Sequence, residues 1–142
     1  MATTQAEKAI KQAILARNAA LGARDVAGAM ATGAAGFVSY SLAPPLKNAS
    51  GKAGLKAWLD TWDGPFGYEM RDLKVVAGDE IAFAHGLAHM TGRKTDGEQV
   101  DLWFRQTLGL KQLHGAWKIV HAHDSVPFYM DGGFKAAVDL KP

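Results

Sequence analysis

His121 and His123 stand two residues apart in "GAWKIVHAHDSVPF", Gly115–Phe128, a stretch that alternates like a β-strand. Residues i and i+2 of a strand share one face, about 6.5 Å apart at Cα. By the same count His85 shares a face with Phe83 and His89 in a neighbouring stretch, and Asp101 with Trp103 and Arg105 in the next. Imidazole titrates near neutrality, so a cavity histidine beside a carboxylate can both accept and donate a proton. In such a set His85 or His123 is base or acid, Asp101 orients it, and Arg105 stabilises an enolate or carboxylate, with His121 a further candidate catalytic residue. Tyr40 and Tyr68 could donate to an oxyanion. His85, His121 and His123 could instead form a facial three-imidazole metal set. No carboxylate ligand accompanies them, and the expectation is a site with no metal and no cofactor. The bland counterpart is an Asp101–Arg105 pair that merely braces adjacent strands.

The elements that must hold these groups follow from periodicity. Thr4 to about Leu21 is rich in good helix formers, with Ile10, Ile14, Leu15 and Leu21 as its apolar stripe. Asp25 reads as the N-cap of a shorter helix through about Thr32. "GFVSYSL", Gly36–Leu42, alternates as a short strand, and "APPLKNASG" must be loop because its prolines remove donors. Ser50 caps a third expected helix running to Trp62, with Leu55, Trp58, Leu59 and Trp62 on one face. Strands are expected at Tyr68–Val76, Glu80–Thr91, Gln99–Lys111 and Trp117–Val126. The turns between them include "RKTDGE", whose Asp-Gly is a strong hairpin signal. The tail "FYMDGGFKAAVDLKP" reads as weakly structured or lying across a mouth; with the "APPL" loop it is a candidate lid.

Splitting each strand by parity gives two unlike faces. One carries Ile81, Phe83, His85, Leu87 and His89, then Asp101, Trp103, Arg105 and Thr107, then Trp117, Ile119, His121, His123 and Ser125. The other carries Ala82, Ala84, Gly86 and Ala88, then Leu102, Phe104, Leu108 and Leu110, then Val120, Ala122 and Val126. The mixed aromatic and ionisable face has the chemistry of a ligand pocket. Unpaired charges in an ordinary core would each cost several kcal/mol. Parity alone leaves open which face is concave. Tyr40, Trp58, Trp62, Tyr68, Phe83, His89, Trp103 and Ser125 are the expected ligand contacts, with Asp124 as a further partner for Arg105 or a histidine.

The totals narrow the class. The chain has 142 residues, 48% of them hydrophobic, with no low-complexity tract, and reads as one domain spanning 1–142. It has no cysteine, which excludes disulfides and thiol chemistry. Sixteen basic against fourteen acidic side chains leave a net charge of +2, too little to argue for nucleic acid or a membrane surface. No stretch has the length and apolarity of a membrane span and "MATTQAEKAIKQ" is no signal peptide, so the expectation is cytoplasmic.

The order helix, helix, strand, helix, four long strands ending in "GAWKI" resembles the NTF2-like superfamily. "FVSYSLAPPL", "GYEMRDLKVVAGDEIAFAHGLAHMTG", "DGEQVDLWFRQTLGL" and "GAWKIVHAHDSVPF" resemble its SnoaL-like and ketosteroid-isomerase-like branch. The resemblance implies an α+β cone: three N-terminal helices packed on a curved antiparallel sheet around a pocket, in a homodimer through the outer sheet face. It favours the polar–aromatic face as the concave one. It implies a small-molecule ligand and metal-independent isomerase, cyclase, hydratase or hydrolase chemistry on a small apolar carbonyl or carboxylate compound. A non-catalytic binding or dimerisation module and a His-ligated metalloenzyme are the alternatives. The isomerase pattern departs here: where its aspartate base belongs, "FVSYS" offers Ser39, Tyr40 and Ser41, and Gly109 falls near the place of its oxyanion-hole acid. Asp101, Arg105 and Asp124 imitate the Asp–Arg–Asp set of limonene-epoxide-hydrolase relatives without its spacing. "HAHDS" is similar to the "HHHSS" of NTF2-like carbonic anhydrases, with two of the five positions altered.

Overall fold

The computed structural model describes residues 4–49 and 51–142. Its elements are α1 (Gln5–Gly22), α2 (Val26–Ala31), β1 (Gly33–Tyr40), β2 (Asn48–Ala49), α3 (Lys52–Leu59), β3 (Gly67–Ala77), β4 (Ile81–Arg93), β5 (Gln99–Leu113) and β6 (Ala116–Ser125). The strands form one sheet in the order β2-β1-β6-β5-β4-β3. Pairing is antiparallel except between β1 and β6, which run parallel. One expectation is thereby corrected: the sheet is mixed, not wholly antiparallel. α3 follows β1 as the order helix, helix, strand, helix implied, with the short β2 added before it, so the three helices are N-terminal only in the loose sense.

Local chemistry accounts for the boundaries. Thr4 caps α1 by accepting from the Glu7 N–H at 3.1 Å, and Asp25 caps α2 by accepting from the Gly28 N–H at 3.0 Å. Ser50, the expected cap of α3, lies outside the described residues; Gly51 takes that position with no side-chain bond. α3 ends at Leu59, earlier than Trp62. His114 (φ 52°) and Gly115 (φ 80°) make the β5–β6 turn with two left-handed residues, as a two-residue hairpin requires. The tail is more ordered than expected. Phe128 pairs with Ala136, and the Ala137 N–H donates to the Pro127 carbonyl at 2.8 Å. No described helix is long and apolar enough to cross a membrane.

α1 lies against the sheet and decides which face is interior. Ile10, Ile14, Asn18 and Leu21 are buried along it, while Leu15, expected in the stripe, is 51% exposed. Ile10 and Ile14 share a cluster with Ala82, Ala84, Leu108, Leu110 and Ile119. The small side chains of β4 let the helix approach, so Ala84 and Ala88 are fully covered and Ile81 is 65% exposed. Trp62, Phe66, Leu59 and Leu21 join Ala88, Met90 and Phe104 in a second cluster, where the Trp62 and Phe66 rings stack 3.9 Å apart. The alanine–leucine face is therefore the concave one, the reverse of the expected assignment.

Two bulges bend the sheet. In β3 the register slips by one residue between Arg71 and Lys74, at Asp72 with φ 57°. In β6 it slips where Gly109 pairs with His121 but Leu110 with Ile119, leaving Val120 as the extra residue. A bulge reverses parity beyond it. Trp117 and Ile119 point inward, yet so do Ala122 and Asp124, while His121 and His123 turn outward. Trp117 and Ile119 therefore do not share a face with His121 and His123.

The seam of α1 against the Phe66 carbonyl makes the packing testable. A Cβ at Gly22 would lie 2.5 Å from that backbone oxygen, whereas one at Gly54 in α3 meets nothing within 4 Å. Gly22→Ala should destabilise by about 1–3 kcal/mol from overpacking. Gly54→Ala should be neutral or stabilise by up to about 1 kcal/mol through helix propensity. Urea unfolding of the two variants checks the contrast.

Candidate functional site

Between the concave face, the helices and the β1–β2 loop lies a cavity of about 430 Å³. Its walls are largely apolar, with Leu21, Phe37, Leu55, Trp58, Met90 and Phe104 among them. Ser39 and Ser41 of β1 and its exit also line it, as do Leu42, Ala43 and Pro44 of the loop. The Ser41 hydroxyl donates to Asn48 Oδ1 at 3.0 Å and ties that loop across its own span. The "APPL" segment thus does form one wall, whereas the tail contributes no residue to the lining.

Two charged side chains line this space: Arg17 from α1 and Asp124 from β6. Tyr68 from β3 stands with them. Gln106, 1% exposed on β5, binds both partners on the sheet: its Nε2 donates to Asp124 Oδ1 at 2.8 Å and to the Tyr68 hydroxyl at 3.0 Å. Burial raises the Asp124 carboxyl above its ordinary value, against the opposing pull of Gln106, Arg17 and His123. Burial likewise raises the Tyr68 hydroxyl, with Arg17 pulling the other way. Arg17 and Asp124 interact through their charges, yet among the described residues no ion pair joins Arg17 to a carboxylate within 4.0 Å. Arg17 Nη1 and Gln106 Oε1 are buried with no hydrogen-bond partner among the described residues, and so are both amide atoms of Asn18.

The expected catalytic set lies on the other side of the sheet. His85 is exposed on β4, and Asp101 and Arg105 are exposed on β5. The Arg105 Nε donates to Ser125 Oγ at 3.1 Å, not to Asp101. Asp101 is bound by His89, whose Nε2 lies 2.6 Å from Oδ1; that hydrogen bond holds the carboxyl below its ordinary value. The His89 ring stacks on Trp103 at 4.0 Å, and Phe83 is 48% exposed beside His85. His121 and His123 contact Tyr40 edge-on at 4.8 and 5.4 Å, and His121 Nδ1 donates to the Val38 carbonyl at 2.7 Å. Thr107 separates His85 from His123 in the ladder, which puts those backbones about 10 Å apart. The three-imidazole metal set is not assembled, and no group of three His, Asp or Glu among the described residues is placed to hold an ion. Of the expected ligand contacts Trp58 and Tyr68 line the cavity; Trp62 is core, under Lys94 Nζ at 4.0 Å.

Residues 10–129 match the family model described as a SnoaL-like domain. The chain belongs to the SnoaL-like family. Among solved structures, an NTF2-like protein of unknown function from Pseudomonas putida KT2440 is 32% identical, with 99% of each chain covered and a TM-score of 0.86. A candidate ketosteroid isomerase from Shewanella frigidimarina is 21% identical over 82% of this chain and 94% of its own, with a TM-score of 0.65. A candidate dehydratase of the NTF2-like family from Streptomyces avermitilis is 12% identical over 83% and 93%, with a TM-score of 0.70. These last two share the fold. No curated protein matches the chain.

In this SnoaL-like chain the cavity residue Arg17, and Gln106 that holds Asp124 and Tyr68 from behind the lining, were missed from the sequence. Gln106 carried a usable signal, a lone amide at the inward parity of Leu102, Phe104, Leu108 and Leu110. The raised carboxyl yields a pH test. Between the unfolded value near 3.8 and its raised folded value, Asp124 holds more proton in the native state than in the unfolded one. Its contribution to stability is therefore complete at acid pH and lost as pH rises through the folded value. The stability of wild type relative to Asp124→Asn should fall as pH rises from about 4 toward neutrality, read by denaturant titrations at each pH.

Proposed function

We propose that the protein binds a small, largely apolar organic molecule bearing a carbonyl or carboxylate and transforms it by proton transfer at Asp124. The observation that carries this reading is the single carboxyl and single guanidinium lining an otherwise mostly apolar cavity, close enough to feel each other but not paired. A carboxyl raised by burial gives up and regains its proton nearer neutrality, which suits a general acid–base group. Arg17 and the Tyr68 O–H supply positive charge and a donor where an oxyanion would develop. Gln106 is a positioning residue, since one amide group holds both Asp124 and Tyr68. The reaction class that uses these groups is isomerisation, cyclisation or hydration, with protein side chains alone.

His85, Asp101, Arg105, His121 and His123 have a different role in this proposal. With exposed Ile81, Phe83 and Val76 they form an outer sheet face suited to a homodimer. Sedimentation equilibrium should report a dimer, shifted toward monomer by Phe83→Lys; a monomeric wild type removes this part of the proposal.

Turnover is tested by following deuterium uptake from heavy water into a panel of apolar enolisable ketones and acids by mass spectrometry. Asp124→Asn should lower exchange at least ~100-fold, the low end of general acid–base contributions. Arg105→Ala should leave it within about twofold. Exchange that survives in Asp124→Asn, or that disappears with Arg105→Ala, overturns the assignment.

A further inference from the structure

The polar end of the cavity holds more hydrogen-bond donors than its own residues use. Arg17 Nη1 is buried and unpartnered. The Tyr68 hydroxyl accepts from Gln106, which leaves its own proton free to donate. Asp124 accepts from the same amide, and its second oxygen has no hydrogen-bond partner among the described residues. Arg17 is half-buried, and a guanidinium N–H kept dry without an acceptor is costly because the group keeps its charge. Water can occupy such a place, but a ligand atom satisfies it only as an acceptor, and best as an anion.

We propose that the cavity selects molecules with a carboxylate head on an apolar body, the head seated on Arg17 Nη1 and the Tyr68 O–H beside Asp124. This deepens the preceding reading and rests on it. A neutral ketone offers one oxygen and no charge; a carboxylate offers two oxygens and cancels the guanidinium. The groups that face Asp124 are Arg17 from α1, Tyr68 from β3, Gln106 from β5 and, next along β6, His123. With a carboxylate bound, ionised Asp124 would face a like charge, so binding keeps its proton in place. Burial already favours that protonated form. Affinity for a carboxylate then weakens as pH rises through the ionisation of Asp124, whereas affinity for a neutral ligand does not.

The test compares 2-naphthoate with methyl 2-naphthyl ketone, near-isosteric probes of which only one is charged, by isothermal titration calorimetry. Naphthoate should bind at least tenfold more tightly than the ketone at neutral pH and lose affinity as pH rises. Arg17→Met should remove the preference, and Arg17→Lys should restore most of it. Asp124→Asn should keep the preference and flatten its pH dependence. Equal binding of the two probes to the unaltered protein sinks the carboxylate inference while leaving the cavity reading intact. Failure of both probes to bind counts against the cavity reading itself, and the inference falls with it.

Discussion

The packing of α1 on the sheet, nearest β3 and with its isoleucines in one cluster with the alanines of β4, governs the rest of the molecule. A helix can sit low on a sheet only where the side chains beneath it are small. Ala82, Ala84 and Ala88 provide that bed, and Ile10, Ile14 and Leu21 fill it. Once the helix lies there, the opposite face of β4 must be the outer one. Every neighbouring strand then inherits its inside and outside through the ladder. Arg17 reaches the cavity because it is adjacent to the buried stripe without belonging to it. It leaves the helix beside Asn18 and Leu21 and arrives where β3, β5 and β6 present Tyr68, Gln106 and Asp124.

Much of the fold was legible because its signals are local. The start of α1 near Thr4, the cap at Asp25, the Asp-Gly hairpin and the alternation of β4 and β5 each depend on a few neighbouring residues. The family resemblance rested on the same segments and agrees with the SnoaL-like match. Which face is concave was not local. It depends on the sum of apolar area that the helices can cover; parity left both faces open, and the resemblance favoured the polar–aromatic one. The alanines of β4 were read as fit for close packing, and that reading holds. What they pack against is a helix about seventy residues earlier in the chain, beyond the reach of any periodicity.

Val120 is the sharper case. Period-two reasoning assumes an unbroken ladder, and one inserted residue reverses every assignment past it. Trp117 and Ile119 were correctly grouped together, as were His121 and His123, but the bulge separates the two pairs. Without it Asp124 would point outward, and the cavity would lose its carboxyl. The irregularity thus places the chemistry, in keeping with the frequency of bulges beside functional sites. Nothing in "WKIVHAHD" marks it, since β-branched residues tolerate both regular and bulged backbone.

The two sides of the sheet handle ionisable groups in opposite ways, and the contrast argues for where selection has acted. On the outer face polar groups find partners: His89 with Asp101 and Trp103, Arg105 with Ser125, His121 with the Val38 carbonyl. Water screens what remains, so these contacts are worth little apiece. Inside, four polar atoms of Arg17, Asn18 and Gln106 are left without partners despite being shielded from solvent. Replacing those residues with apolar ones of similar volume would relieve desolvation without leaving cavities. A chain shaped for stability alone would carry leucine or methionine there. The unsatisfied Arg17 Nη1 near Asp124 is intelligible as capacity held for something that enters the cavity, because an incoming acceptor offsets the cost of keeping it dry.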